Sequence, residues 1–207
     1  MSNHRDLPQQ QRSRQRVQAT LDAAKKVLAA KGFGSMTLDA VCKEAGVKPT
    51  SIYRYWPNQV ALMASLVEIF ESELSEGIVA ISSKTASMPW RDAQRIMLEL
   101  LVAYCEDNEW IYAGRAALAA DPLLIEMHTE TIKVLNNHMV SFYKFNGMPG
   151  TRERLERAAN MYILLIDSYI GALARAKASQ QSVKAIVEDF YEATSAILAP
   201  YYEAPLT

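Results

Sequence analysis

Cysteine is almost missing from this chain: Cys42 and Cys105 are the only two in 207 residues. They stand far apart, without CxxC spacing and too few for a disulfide framework. That excludes a small disulfide-stapled scaffold and points to buried thiols in a reducing compartment, the cytoplasm. Glycine and proline are also scarce, at eight each, and mostly sit at punctuation points rather than inside periodic segments. No stretch approaches the roughly 18 uninterrupted apolar residues of a membrane helix, so no membrane partner is expected. Met1–Arg16 is polar and lacks the apolar centre of a secretory signal. Strand-like alternation is absent as well. What is present is 50% apolar residues, recurring at helical period over long segments. The reading is an all-α protein with enough apolar side chain for a sizeable core.

Charge is nearly balanced overall, at −1, yet unevenly spread. Residues 1–60 hold ten cations against four anions, a net +6 that leaves −7 on the remainder. A basic module on an acidic body implies a polyanionic partner for the first part only.

Residues 1–14, rich in Gln and Arg with no apolar face, read as a mobile basic arm. Val17, Leu21, Ala24 and Leu28 mark a first amphipathic helix, ended by Gly32. Thr37 is a good N-cap for a short second helix carrying Leu38, Val41, Cys42 and Ala45, which Gly46 stops. Pro49 suits the first position of a third helix, running to about Trp56 before Pro57. Two short helices separated by a glycine-containing turn form a helix-turn-helix. Asn58 caps a fourth helix. Further helices are expected over about 89–107, 110–120, 122–145, 152–179 and 183–201, with a strong break at residues 146–150.

The third helix concentrates the chemistry. Ile52 and Trp56, four apart, can face the core. Lys48, Ser51 and Tyr55, with Thr50 and Arg54 beside them, then face outward. That face is basic, hydroxyl-rich and aromatic, as phosphates and base edges in a major groove require. A cation such as Lys48 opposes the helix dipole at an N-terminus, and a phosphate partner would compensate.

The combination Gly32-Phe33, Met36-Thr37-Leu38, Val41, Ala45-Gly46-Val47, Ile52 through Asn58, and Leu62 resembles the DNA-binding domain of the tetracycline-repressor (TetR) family. The resemblance covers about residues 15–66. It implies a helix-turn-helix domain over 15–62 and a helical effector-binding and dimerisation domain over 63–207. By the same resemblance the protein is a homodimeric repressor, paired through its last two helices and bound to a palindromic operator in double-stranded DNA. Thr37 would bind a phosphate, Lys48, Pro49, Thr50 and Ser51 would face base edges or nearby backbone, and Tyr53 and Tyr55 would bind phosphates. Arg54 would meet a base edge or the backbone, and Arg12, Arg14 and Arg16 would reach a minor groove from the arm. Gln59 departs from the pattern, standing where the family commonly has Lys, so one phosphate contact there lacks its charge.

Polar and aromatic residues inside apolar helices of the body are the natural lining of a pocket for a small apolar or aromatic effector. Those residues are Tyr104, Trp110, Arg115, Met127, Tyr143, Tyr162 and Asp167. Asp167 fits either that pocket or a dimer-interface hydrogen bond, since a carboxylate among apolar residues needs a partner. Catalysis needs a supported nucleophile or a positioned acid–base pair. Only Cys105 and His128 come into question, and nothing in the sequence brings them together. Glu130 and His138, eight apart, offer two ligands where a zinc site uses more. No enzyme activity, metal or cofactor is expected. The alternative to a ligand-responsive repressor is a binding protein of the same fold that acts through protein partners or DNA organisation. Strong preference for its own upstream DNA distinguishes the two.

Overall fold

The computed structural model describes residues 6–118, 122–179 and 182–203. Among these lie nine α-helices and no strand: α1 (Asp6–Lys31), α2 (Leu38–Ala45), α3 (Pro49–Ile52), α4 (Gln59–Thr85), α5 (Trp90–Asp107), α6 (Trp110–Leu118), α7 (Pro122–Phe145), α8 (Arg152–Ala178) and α9 (Val183–Glu203). A 3₁₀ turn at Phe33–Ser35 joins α1 to α2. The class is all-α, as the apolar period predicts. None of the helices is long and apolar enough to cross a membrane.

The chain start departs from expectation. An arm is expected over residues 1–14; residues 1–5 lie outside the described residues, and from Asp6 the chain is helical as part of α1. The polar stretch has no apolar face, but Gln and Arg are good helix formers without one.

The helices gather into two compact units that do not follow chain order. One comprises Met1–Ile69 and Glu109–Met127, the other Phe70–Asn108 and His128–Thr207. The first unit runs past the boundary expected between residues 62 and 63 and also takes in α6. Its apolar residues explain why, since Trp110, Ile111, Ala117 and Leu118 are buried and α6 packs on α1. The Lys25 ammonium lies 5.5 Å from the Trp110 ring. Gly114 permits a close approach, because a Cβ there would stand 3.1 Å from Met63 Cε.

Within the first unit, local chemistry sets each boundary. The Thr37 hydroxyl accepts the Ala40 N–H at 3.2 Å and caps α2. Gly46 ends it at φ 65°, a left-handed conformation that glycine adopts without a Cβ penalty. The next N–H, of Val47, returns to the Cys42 carbonyl at 3.1 Å, satisfying an orphan acceptor of the last turn. Helix α3 is shorter than the sequence predicts. After Ile52 the turn tightens, with the Tyr55 and Trp56 N–H groups both donating to the Ile52 carbonyl, at 2.8 and 3.0 Å. Pro57 disfavours helical backbone at Trp56. Ile52 and Trp56 are buried, and Trp56 Nε1 donates to Ser65 Oγ on α4 at 2.9 Å. Asn58 Oδ1 accepts the Ala61 N–H at 2.9 Å, capping α4.

In the second unit α9 packs against both α5 and α8. The core is apolar and aromatic, built from residues such as Ile78, Met97, Leu135, Met139, Phe142 and Leu198. One buried polar link crosses it: Gln94 Nε2 donates to Thr194 Oγ1 at 2.6 Å, and Ser195 Oγ donates to Gln94 Oε1 at 3.4 Å. At the surface Arg95 grips Glu188 through both oxygens, at 2.9 and 3.1 Å.

Candidate nucleic-acid interface and effector site

Burying Ile52 and Trp56 turns the rest of the α3 region outward. Lys48, Pro49, Thr50, Tyr53, Arg54 and Tyr55 are all exposed, Tyr53 by 49% and Tyr55 by 39%. Lys48 occupies the N-cap of α3 without a side-chain cap bond, and Pro49 follows at the first helical position. Exposed aromatics of this size next to a lysine and an arginine form a surface suited to a sugar–phosphate backbone. Thr37 is exposed too; with its oxygen accepting from Ala40, its hydroxyl proton remains available for an outside acceptor. Gln59 is half-buried at the start of α4.

Arg14 and Arg16 are exposed on α1, so they ride on a regular helix and not on the arm that the sequence implied. The side chains of Arg12 and Ser51 lie outside those described. A residue missing from the sequence reading joins this surface. Tyr55 Oη lies 2.5 Å from Ser13 Oγ and accepts from Arg54 Nη2 at 2.8 Å. The Arg54 guanidinium also sits 5.0 Å from the centre of the Tyr55 ring. Hydrogen bonding by Ser13 and then by Arg54, aided by the charges of Arg54 and Arg16, holds the Tyr55 phenol below its ordinary pKa. Ser13 and Tyr55 are 42 residues apart, and no local pattern could have paired them.

The seven residues named for an effector site do not gather in one unit. Trp110, Arg115 and Met127 belong to the first; Tyr104, Tyr143, Tyr162 and Asp167 belong to the second. Trp110 is buried on α6, with the Lys25 ammonium 5.5 Å from its ring centre. Tyr104 donates to Glu73 Oε2, and burial followed by that carboxylate raises its pKa. Asp167 Oδ2 lies 3.2 Å from His128 Nε2, both half-buried.

Tyr143 and Tyr162 differ from the rest. They are 1% and 4% exposed, their rings meet edge-on at 6.3 Å, and neither hydroxyl has a hydrogen-bond partner among the described residues. Burial raises both phenol pKa values, so each remains a neutral donor. Tyr202 meets Tyr143 edge-on at 6.4 Å and stacks on Trp90 at 4.5 Å. Trp90 opens α5 and Tyr202 lies near the end of α9, a juxtaposition that no sequence signal announces. The cluster that holds them includes Phe142, Met139, Met148, Leu155 and Ile163. Two buried phenol donors are the polar groups of an otherwise aromatic and apolar interior.

Residues 21–66 match the family model described as bacterial regulatory proteins, tetR family. No functionally curated protein sequence matches the chain. Among solved structures, a protein of Mesorhizobium loti assigned to the TetR-family transcriptional regulators is similar over 92% of this chain and 98% of its own. Its TM-score is 0.74 at 16% identity. A transcriptional regulator from Rhodococcus sp. RHA1 matches over 91% and 98%, with TM-score 0.68 and 18% identity. SmeT, solved in complex with triclosan, matches over 88% and 90%, with TM-score 0.67 and 18% identity. At such identities the structural likeness is one of fold, and the family rests on the matched N-terminal segment, which holds Thr37, Gln59 and the whole exposed α3 surface. Residues 21–66 thus resemble the DNA-binding segment of bacterial regulatory proteins of the tetR family, and the chain as a whole has the fold of solved TetR-family regulators.

Proposed function

We propose that the protein is a dimeric repressor that binds a palindromic operator in the cytoplasm and is released by a small, largely apolar or aromatic effector. The carrying observation is the pairing, in one chain, of an exposed basic helix-turn-helix surface with a body whose apolar core keeps the Tyr143 and Tyr162 hydroxyls unmet. Operator contacts are assigned to Lys48, Thr50, Arg54 and Tyr55, with Thr37 and Tyr53 on flanking phosphates. The effector is placed against Tyr143 and Tyr162. Dimerisation is assigned to α8 and α9, where Met161 and Leu164 are 43% and 60% exposed and Ala193 and Ala196 leave room for close helix approach. The two recognition surfaces of a dimer would then lie about 34–36 Å apart, or a multiple of that.

Testing starts with DNA upstream of the protein's own gene, measured against bulk DNA. A regulator prefers its operator by several orders of magnitude, and equal affinity would refute the reading. Effectors are sought by thermal shift. Triclosan, the compound held by SmeT, is one aromatic probe to begin with. Coupling between sites is reciprocal, so operator must weaken effector binding by the factor with which effector weakens operator binding, typically 5–150-fold. Calorimetric titration with and without operator reads both. A compound bound equally well in the two is no effector.

A further inference from the structure

Ser13 lies upstream of the segment that matches the family model, on a part of α1 that the sequence did not mark as helical. Its hydroxyl nevertheless meets the recognition surface through Tyr55. Together the two hydroxyls carry two protons. One is used between them, whichever oxygen donates. Arg54 Nη2 fills an acceptor position on the Tyr55 oxygen. One hydroxyl proton is therefore left for an acceptor outside the trio. That acceptor would sit beside a guanidinium, with the exposed Arg14 and Arg16 on the same helix as Ser13. An anionic oxygen fits this setting better than a neutral one, since hydrogen bonds to ionised acceptors are roughly twice as strong.

We propose that Ser13 and Tyr55 act as one shared hydrogen-bond donor to a backbone phosphate of bound DNA, with Arg54 supplying the charge. In this arrangement Ser13 is a positioning residue as well as a contact, because it fixes the direction of the Tyr55 hydroxyl. The inference rests on the DNA-binding reading. It adds a contact from α1 and couples it to the phosphate contact expected of Tyr55.

A double-mutant cycle tests it, with full-length protein titrated against a random-sequence duplex at several salt concentrations. Tyr55→Phe removes the Tyr55 hydroxyl and Ser13→Ala removes the group that fixes its direction, so each weakens binding by up to about tenfold. The double variant is no weaker than the poorer single, because both remove the same contact. Neither changes the slope of log affinity against log salt, since no charge is lost. Arg54→Ala lowers that slope by about one. Ser13→Thr restores affinity. Losses that multiply to about a hundredfold in the double variant, or parental affinity in Ser13→Ala at every salt concentration, would overturn the shared donor. So would a fall in melting temperature for Ser13→Ala without loss of affinity, which is the mark of a purely structural tie. If the parent protein fails to bind DNA at all, the DNA-binding reading falls together with this one.

Discussion

Replacing Tyr162 or Tyr143 by Phe should leave the ligand-free protein as stable as before or more stable, against the usual sign for a buried tyrosine. Where a core hydroxyl is hydrogen-bonded, removing it forfeits about 0.5–1.5 kcal/mol. Here each hydroxyl is buried without a protein partner, and such a group costs about 1–3 kcal/mol to bury. The ring stays, so the aromatic contacts at 6.3 and 6.4 Å are kept and no cavity larger than one oxygen opens. Recovering about 1 kcal/mol in a chain of 207 residues raises the melting temperature by about 2–4 °C. Differential scanning calorimetry of each single variant and the double reads this directly. The same variants should lose affinity for any effector whose acceptors the two hydroxyls meet. A drop of several degrees in both singles would refute the reasoning, for it would mean that the hydroxyls are satisfied in the resting protein, by buried water for instance.

Three further outcomes are expected. Stability should fall as pH rises above about 10, the ordinary phenol value. There the unfolded chain loses protons that buried Tyr143 and Tyr162 retain, and the Phe variants should flatten this decline in pH-dependent melting curves. Lys48→Ala should weaken DNA binding without altering the fold; a lost phosphate contact lowers the salt slope by about one, and parental binding at two salt concentrations would remove Lys48 from the interface. Leu164→Glu places a charge on the exposed α8 face and should yield monomers by analytical ultracentrifugation. A parental sedimentation profile would move the dimer interface elsewhere. Leu173 is unsuitable for that purpose, because it is 2% exposed within the chain itself and a charge there would test folding.

The helix-turn-helix was legible because its signals are local. Thr37, Gly46, Pro49 and Asn58 each act on backbone groups within a turn of themselves, and the burial of Ile52 and Trp56 follows from their spacing. The helical start of α1 is not legible, because Gln9–Arg16 has no apolar face and its helix rests on intrinsic propensity. The end of α3 was overrun because Tyr53–Tyr55 carry no breaker of their own, and the constraint from Pro57 acts backwards along the chain. Trp110 shows the limit of local signals, because an aromatic among apolar residues reads the same whether it meets a ligand or a neighbouring helix. Its partner, α1, lies far away in sequence. Tyr143 and Tyr162 could be named from their place on apolar helices, but whether a hydroxyl finds a partner is a property of packing alone.

The link between Gln94, Thr194 and Ser195 has a consequence for how α5 and α9 choose their alignment. Leu, Ile, Ala and Met side chains are interchangeable in their preferences, so an apolar seam between two helices tolerates sliding. A slip of one turn, about 5.4 Å, would exchange one apolar neighbour for another at little cost. Gln94 removes that freedom. Its amide nitrogen donates to Thr194 and its amide oxygen accepts from Ser195, while Thr194 passes its own proton to the Phe190 carbonyl at 2.8 Å. Displaced by a turn, the amide would stay buried with both ends unmet, at about 1–3 kcal/mol for each group. The three residues therefore work as a vernier: they add little to the strength of the seam and leave it one setting.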